Sequence, residues 1–72
     1  MKNKENDWVF LTSTRVRKAK YNIKTQTVTV EFTDGIEWNY YMISPLEWTE
    51  FITSDSPGKY LYDVLDQKPN GG

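Results

Sequence analysis

The run from Thr27 to Ile43, TVTVEFTDGIEWNYYMI, constrains this chain more than any other stretch. Before Asp34-Gly35, Val28, Val30 and Phe32 alternate with Thr27, Thr29 and Glu31; after it, Ile36, Trp38, Tyr40 and Met42 alternate with Glu37, Asn39, Tyr41 and Ile43. A period of two on both sides of a turn dipeptide marks the half-buried strands of a hairpin. A two-residue Asp-Gly loop would set Glu31 opposite Trp38 and turn the apolar rows to opposite sides of the sheet, so no common core could form. A three-residue loop, with Gly35 in the left-handed position of a G1 bulge, instead pairs Phe32 with Ile36, Val30 with Trp38 and Val28 with Tyr40. This second register is the one expected. It also sets Glu31 opposite Glu37, a like-charge pair that a neighbouring cation would relieve.

Seventy-two residues allow one domain, near the lower limit of what folds without staples, so the core has to be dense. Eleven aromatic residues can supply it. With no Cys and no His, disulfides, thiolate or imidazole metal sites and imidazole acid-base chemistry are unavailable, which discounts most enzyme classes. No apolar run is long enough to span a bilayer or to form a secretory signal, so the expected setting is cytoplasmic, without membrane attachment. Residues 1–24 hold seven Lys/Arg and two acids, whereas residues 25–72 hold two Lys and eight acids, so the fold should be electrically two-sided.

Residues 1–7 are polar and are expected as a flexible N-terminus, residues 8–67 as a single domain, and residues 68–72 as a flexible C-terminus. Trp8-Val9-Phe10-Leu11 either closes one end of the core, the favoured reading, or presents a sticky surface to a partner. Whether it adds a fourth strand is left open. Ser13 to Tyr21 reads as the first strand, but Val16 falls out of step with Ala19 and Tyr21. An extra residue near Arg17-Lys18 restores the parity, sets Val16, Ala19 and Tyr21 inward, and can bring a cation beside Glu31. Asn22 to Gln26 forms a looser turn opened by an Asn, in which Gln26 is a poor residue if that position needs a positive φ.

Ser44, Pro45 and Glu47 predict a helix start with a capping box, and the helix should end near Thr53. Ser56 and Pro57 predict a second start, with Tyr60, Leu61, Val64 and Leu65 on one stripe. The expected fold class is α+β: a three-stranded antiparallel β-meander followed by two short helices packed on one face, in the order β-β-β-α-α.

With these residues in place, the chain resembles the KTSC domain, a family named for its occurrence at the C-terminus of some lysyl-tRNA synthetases and found also as stand-alone bacterial or phage proteins. The resemblance runs from about Leu11 to Leu65. It rests on Ser13-x-x-Val16, on Tyr21-Asn22 where the family usually has Tyr-Asp, and on Val28-x-Val30-x-Phe32-x-x-Gly35. Trp38-x-Tyr40 then stands in place of Tyr-x-Tyr, followed by Ser54-x-Ser56-x-Gly58-x-Tyr60. Gln26 occupies a position where the family often carries Gly. The resemblance implies a binding module with no catalytic residues and no cofactor, and its association with a synthetase implies RNA as a partner.

Three groups of residues are candidate contacts. Arg15, Arg17, Lys18 and Lys20, with Lys24, make a basic strand of the kind that holds phosphates; the competing reading is an edge strand blunted by charge. Tyr41 and Tyr62 could add stacking surfaces, Tyr21 could join them if the bulge is misplaced, and Asn39 a polar contact. Ser56, Gly58 and Lys59 could offer a helix N-terminus to an anion, although Thr53 and Tyr60 exclude a P-loop. Trp38 and Tyr40 are expected in the core, and the Glu31/Glu37 pair as solvated rather than catalytic. The expected function is therefore a small non-enzymatic domain that holds RNA or a nucleotide phosphate, as a monomer or small homo-oligomer. The alternatives are a phage or mobile-element protein that binds a host protein through Trp8 and Phe10, or an oligomer that sequesters a nucleotide signal.

Overall fold

The computed structural model describes residues 8–72. The chain forms β1 (Val9–Phe10), β2 (Val16–Asn22), β3 (Thr27–Phe32), β4 (Glu37–Tyr40), α1 (Pro45–Thr53), α2 (Pro57–Asp63), a 3-10 turn (Leu65–Gln67) and β5 (Asn70–Gly71). The strands make one antiparallel sheet in the order β1-β2-β3-β4-β5. The fold is α+β with two helices, as expected, but the sheet has five strands rather than three. The two additional strands are two-residue edge pairings, too short for any alternation to show. One of them, Asn70–Gly71, lies in the stretch read as a flexible C-terminus.

The central hairpin has the register that its parity requires. Val28 pairs with Tyr40, Val30 with Trp38 and Glu31 with Glu37. The Gly35 N–H donates to the Phe32 carbonyl at 2.9 Å and the Phe32 N–H to the Ile36 carbonyl at 2.9 Å, with Gly35 at φ 92°. Asp34 Oδ1 accepts from the Ile36 N–H and secures the tip. The first strand carries its bulge between Val16 and Lys18, so that Val16 pairs with Phe32 and Lys18 with Glu31. Val16, Ala19 and Tyr21 are thereby buried together with Val28, Val30 and Tyr40 under Phe51, Leu61 and Leu65 of the helical layer.

A third irregularity departs from expectation. Alternation should have carried β4 through to Ile43, but pairing with β3 stops at Tyr40 and Met42 is left-handed at φ 61°. Met42 turns outward, two-thirds exposed, and Ile43 turns inward, fully buried. Four contacts hold this corner: the Tyr41 N–H on the Pro69 carbonyl, the Ile43 N–H on the Gln26 carbonyl, Lys68 Nζ on the Met42 carbonyl, and the Tyr21 hydroxyl on the Ile43 carbonyl at 2.6 Å. Trp38, expected in the core with Tyr40, and Ile36 on the same strand face are not part of the core cluster. They stay 37% and 55% exposed. Trp38 is held at its rim instead, its indole N–H donating to Asn70 Oδ1 on β5.

The capping box forms as the sequence predicts: Ser44 Oγ accepts from the Glu47 N–H at 3.2 Å and Glu47 Oε1 from the Ser44 N–H at 2.9 Å. Lys68 pairs with the same carboxylate at 3.0 Å. The Ser44 backbone bond, with Lys68 beside it, holds the Glu47 carboxyl below its ordinary range. Helix α2 differs from expectation in two ways. Ser56 makes no side-chain cap, and the α-helix ends at Asp63, so Leu65 reaches the core from the 3-10 turn. No helix among the described residues is long and apolar enough to cross a membrane.

Two stability tests follow from these features. Gln26 closes the β2–β3 turn at φ 54°, where a side chain costs about 1 kcal/mol relative to Gly. Gln26→Gly should raise stability by roughly 0.5–1 kcal/mol, the gain being offset in part by the freer unfolded chain; a lower urea midpoint than the parent's would contradict this. Because the folded Glu47 carboxyl sits below its ordinary value of 4.5, its contribution is complete above that pH and is lost as the pH falls through the depressed value. Glu47→Gln should therefore destabilise the chain at pH 7 by up to about 1 kcal/mol, with the gap narrowing below that range. Urea titrations of both proteins from pH 7 to pH 3 check the trend, and a gap that widens on acidification would refute it.

Candidate nucleic-acid interface

Both helices pack on one face of the sheet, and among the described residues no element covers the other. The strand register places two rows of side chains on this open face. One row runs Phe10, Lys18, Glu31, Glu37; the other runs Trp8, Lys20, Thr29, Asn39. Aromatics and cations thus gather at the β1–β2 edge and carboxylates toward β4.

At the first edge, Lys18 Nζ lies 4.4 Å and Lys20 Nζ 4.7 Å from the Trp8 ring centroid, and Lys18 Nζ lies 5.5 Å from that of Phe10. Such contacts are worth about 0.5–1 kcal/mol each at exposed sites. They also hold two like charges close together, which a free strand would not do. Lys18 pairs in addition with Glu31 at 3.4 Å, the cation expected to offset the Glu31/Glu37 repulsion. Lys20 makes no ion pair among the described residues, so its charge is the more available of the two. Beside it, Lys20, Asn22, Thr25, Thr27 and Thr29 line a shallow depression of about 230 Å³. Enclosed small-molecule sites usually exceed roughly 300 Å³, so the surface suits a ligand laid across it better than one swallowed by it.

In the next strands, the Thr29 hydroxyl donates to Asn39 Oδ1 at 2.7 Å. Every buried side-chain polar atom of the described residues has a partner. The Asn39 amide nitrogen has no hydrogen-bond partner among the described residues.

The other candidate residues are dispersed. Arg15 lies on the helical side of the sheet, its guanidinium 5.2 Å from the Phe32 ring. Arg17 is exposed at the bulge and Lys24 in the β2–β3 turn. Tyr41 is exposed at the corner after β4, and Tyr62 on α2, away from the open face. Tyr21 is removed as a stacking surface, since it is buried, bonded to Ile43 and stacked on Trp48 at 5.3 Å; burial, with Glu47 nearby, pushes its phenol up. Lys59 donates to Asp63 at 2.6 Å, which holds its ammonium above the ordinary value. A Cβ on Gly58 would stand 3.4 Å from Ser13 Oγ, so protein rather than open space faces that glycine. Ser13 Oγ in turn accepts from the Arg15 and Val16 N–H groups. The Ser13 and Ser56-x-Gly58 motifs therefore meet as a structural joint between β2 and α2.

Two further tyrosines are tied into the helical side. Burial, then the neighbouring Asp66 carboxylate, pushes the Tyr40 phenol up to about 12. Burial, then a 2.8 Å bond to Glu50, does the same for Tyr60. Neither faces the open side, and no group of three or more acidic residues among those described is placed to hold a metal. The feature that sequence reasoning missed is the convergence of Trp8, Lys18 and Lys20. Alternation alone would have shown it had β1 been paired with β2.

Comparison with known proteins agrees with this architecture. No curated protein matches the chain. The crystal structure of a KTSC domain protein from Yersinia pestis superposes with a TM-score of 0.83 over 89% of this chain and 92% of that one, at 14% identity, which speaks to the fold alone. The KTSC domain profile matches residues 12–68, covering β2 to the end of the helical layer and including both halves of the Ser13–Gly58 joint, and on that match the chain belongs to the KTSC domain family.

Proposed function

We propose that this KTSC domain is a non-enzymatic binding module that holds single-stranded RNA across its open sheet face. The observation that carries the reading is the cluster of Trp8, Phe10, Lys18 and Lys20 at one edge of that face. Cations supply the phosphate contacts that dominate nucleic-acid affinity, and aromatic rings supply stacking surfaces that any base can use. Exposed antiparallel sheets with aromatic and basic residues bind single strands in unrelated folds by the same physics. The near-balance of Lys18 and Lys20 against Glu31 and Glu37 favours a weak, salt-sensitive complex. Lys20 and Trp8 are its main contacts, and Arg15 and Lys59 lie outside it.

A second reading, a protein partner docked on the β1 edge, is supported by the 70% exposure of Phe10. It predicts association that depends on Phe10 and is indifferent to salt.

Fluorescence anisotropy of a labelled single-stranded RNA measured from 50 to 300 mM salt separates the two. RNA binding should weaken with a log–log slope of roughly −0.7 per phosphate neutralised, or about −1.4 for two lysines. Lys20→Ala should lower the affinity several-fold and flatten the slope, while Lys59→Ala, equally folded by circular dichroism, should leave both unchanged. Salt-independent binding, or equal loss in the two variants, would count against the proposal.

A further inference from the structure

The open face carries its charges in two halves. Lys18 and Lys20 lie on β2, with Trp8 and Phe10 beside them at the β1 edge, whereas Glu31 lies on β3 and Glu37 on β4. Within one copy these charges are incompletely matched. Lys18 pairs with Glu31 at 3.4 Å, but neither Lys20 nor the exposed Glu37 makes an ion pair among the described residues. One cation on β2 and one carboxylate on β4 are therefore left over on a single face, flanking β3.

Such a face is complementary to itself. Two sheets packed face to face lie about 10 Å apart with their strands within about 30° of alignment, a gap that Lys and Glu side chains bridge from both sides. A two-fold axis can relate the aligned sheets in two ways. With the axis across the strands, β2 of one copy covers β2 of the other, and Lys18 and Lys20 meet their own kind. With the axis along the strands, the strand order reverses, and the lysine half of each copy covers the carboxylate half of the other; the two-fold makes every such contact twice. We propose that the open face pairs with a second copy of this chain in the latter arrangement, which sets the left-over Lys20 of each copy against the carboxylate half that holds the left-over Glu37 of the other. Trp8 and Phe10, the latter 70% exposed, add aromatic surface of the kind enriched in interfaces. With extents of 32 × 23 × 23 Å, the molecule can bury on the order of 500 Å² per copy on this face, at the lower end for a stable pair, so the dimer is weak and salt-sensitive. The pairing does not depend on the RNA-binding reading. A second copy and RNA would contend for the same lysines, so each excludes the other.

Sedimentation equilibrium of the full chain, free of nucleic acid and at low salt, from about 10 μM to 1 mM tests this. The wild type should pass from monomer toward dimer in that range with no larger species, because a two-fold pairing closes on itself. Lys20→Glu and Glu37→Lys, each folded by circular dichroism, should each weaken the dimer by about tenfold or more, since like charges then face each other. Mixed in equal amounts, the two variants should form heterodimers nearly as tight as the wild-type dimer. In that pair the acid introduced in one copy faces the cation introduced in the other, and the second half of the interface is native. A wild type that stays monomeric throughout, single variants that associate as well as the wild type, or a mixture no tighter than its components overturns the inference. The RNA-binding reading is decided separately, by the anisotropy of the labelled strand.

Discussion

A strand has only two faces, and a shift of one residue sends every following side chain to the wrong one. In this sheet three single-residue irregularities decide which side chains meet the helices. The bulge at Arg17 brings Val16 into step with Ala19 and Tyr21. The left-handed Gly35 aligns the apolar rows of β3 and β4. The left-handed Met42 then turns Ile43 inward at the entrance to α1. Remove any one of these and part of a ten-residue buried core would face water, a loss that a domain of this size could not absorb.

The same parity creates the open face. Each residue that turns inward has a neighbour that turns outward, so fixing the core rows also fixes Phe10-Lys18-Glu31-Glu37 and Trp8-Lys20-Thr29-Asn39. Core and candidate interface are two readings of one register. The Glu31/Glu37 repulsion is a by-product of that register, and Lys18 relieves it because the Arg17 bulge slides Lys18 opposite Glu31. One cation of the basic strand thereby serves the fold, while Lys20 makes no ion pair among the described residues.

The corner after β4 links the two layers. The buried Tyr21 hydroxyl on the Ile43 carbonyl, the Gln26 carbonyl on the Ile43 N–H and Lys68 on both Met42 and Glu47 join the first turn, the end of β4 and the start of α1. Two non-glycine residues with positive φ, Gln26 and Met42, are held there. Backbone in that region persists where surrounding contacts over-determine it, and here each is adjacent to a buried or ion-paired anchor. The stacked Tyr21–Trp48 pair continues the link from sheet to helix.

Local chemistry was enough to determine the hairpin register, the Arg17 bulge, the capping box at Ser44 and the general α+β plan, because each depends on residues close in sequence with strict geometric demands. Residue type alone also identified Lys18, Lys20, Asn39, Trp8 and Phe10 as candidates for contact. It could not say which of the candidates come together. Arg15 and Lys20 are both cations of the basic segment, yet Arg15 precedes β2 and lies over the Phe32 ring, whereas Lys20 lies within β2 against Trp8. Lys59 is taken up by a carboxylate one helical turn away. The edge strands β1 and β5, the exposure of Trp38 and Ile36, and the left-handed Met42 were decided only in three dimensions. Two-residue pairings carry no periodicity, the exposure of a side chain on the core face depends on how far the helices extend, and Met42 has no intrinsic preference for a positive φ that contacts from Gln26, Pro69 and Lys68 impose on its surroundings.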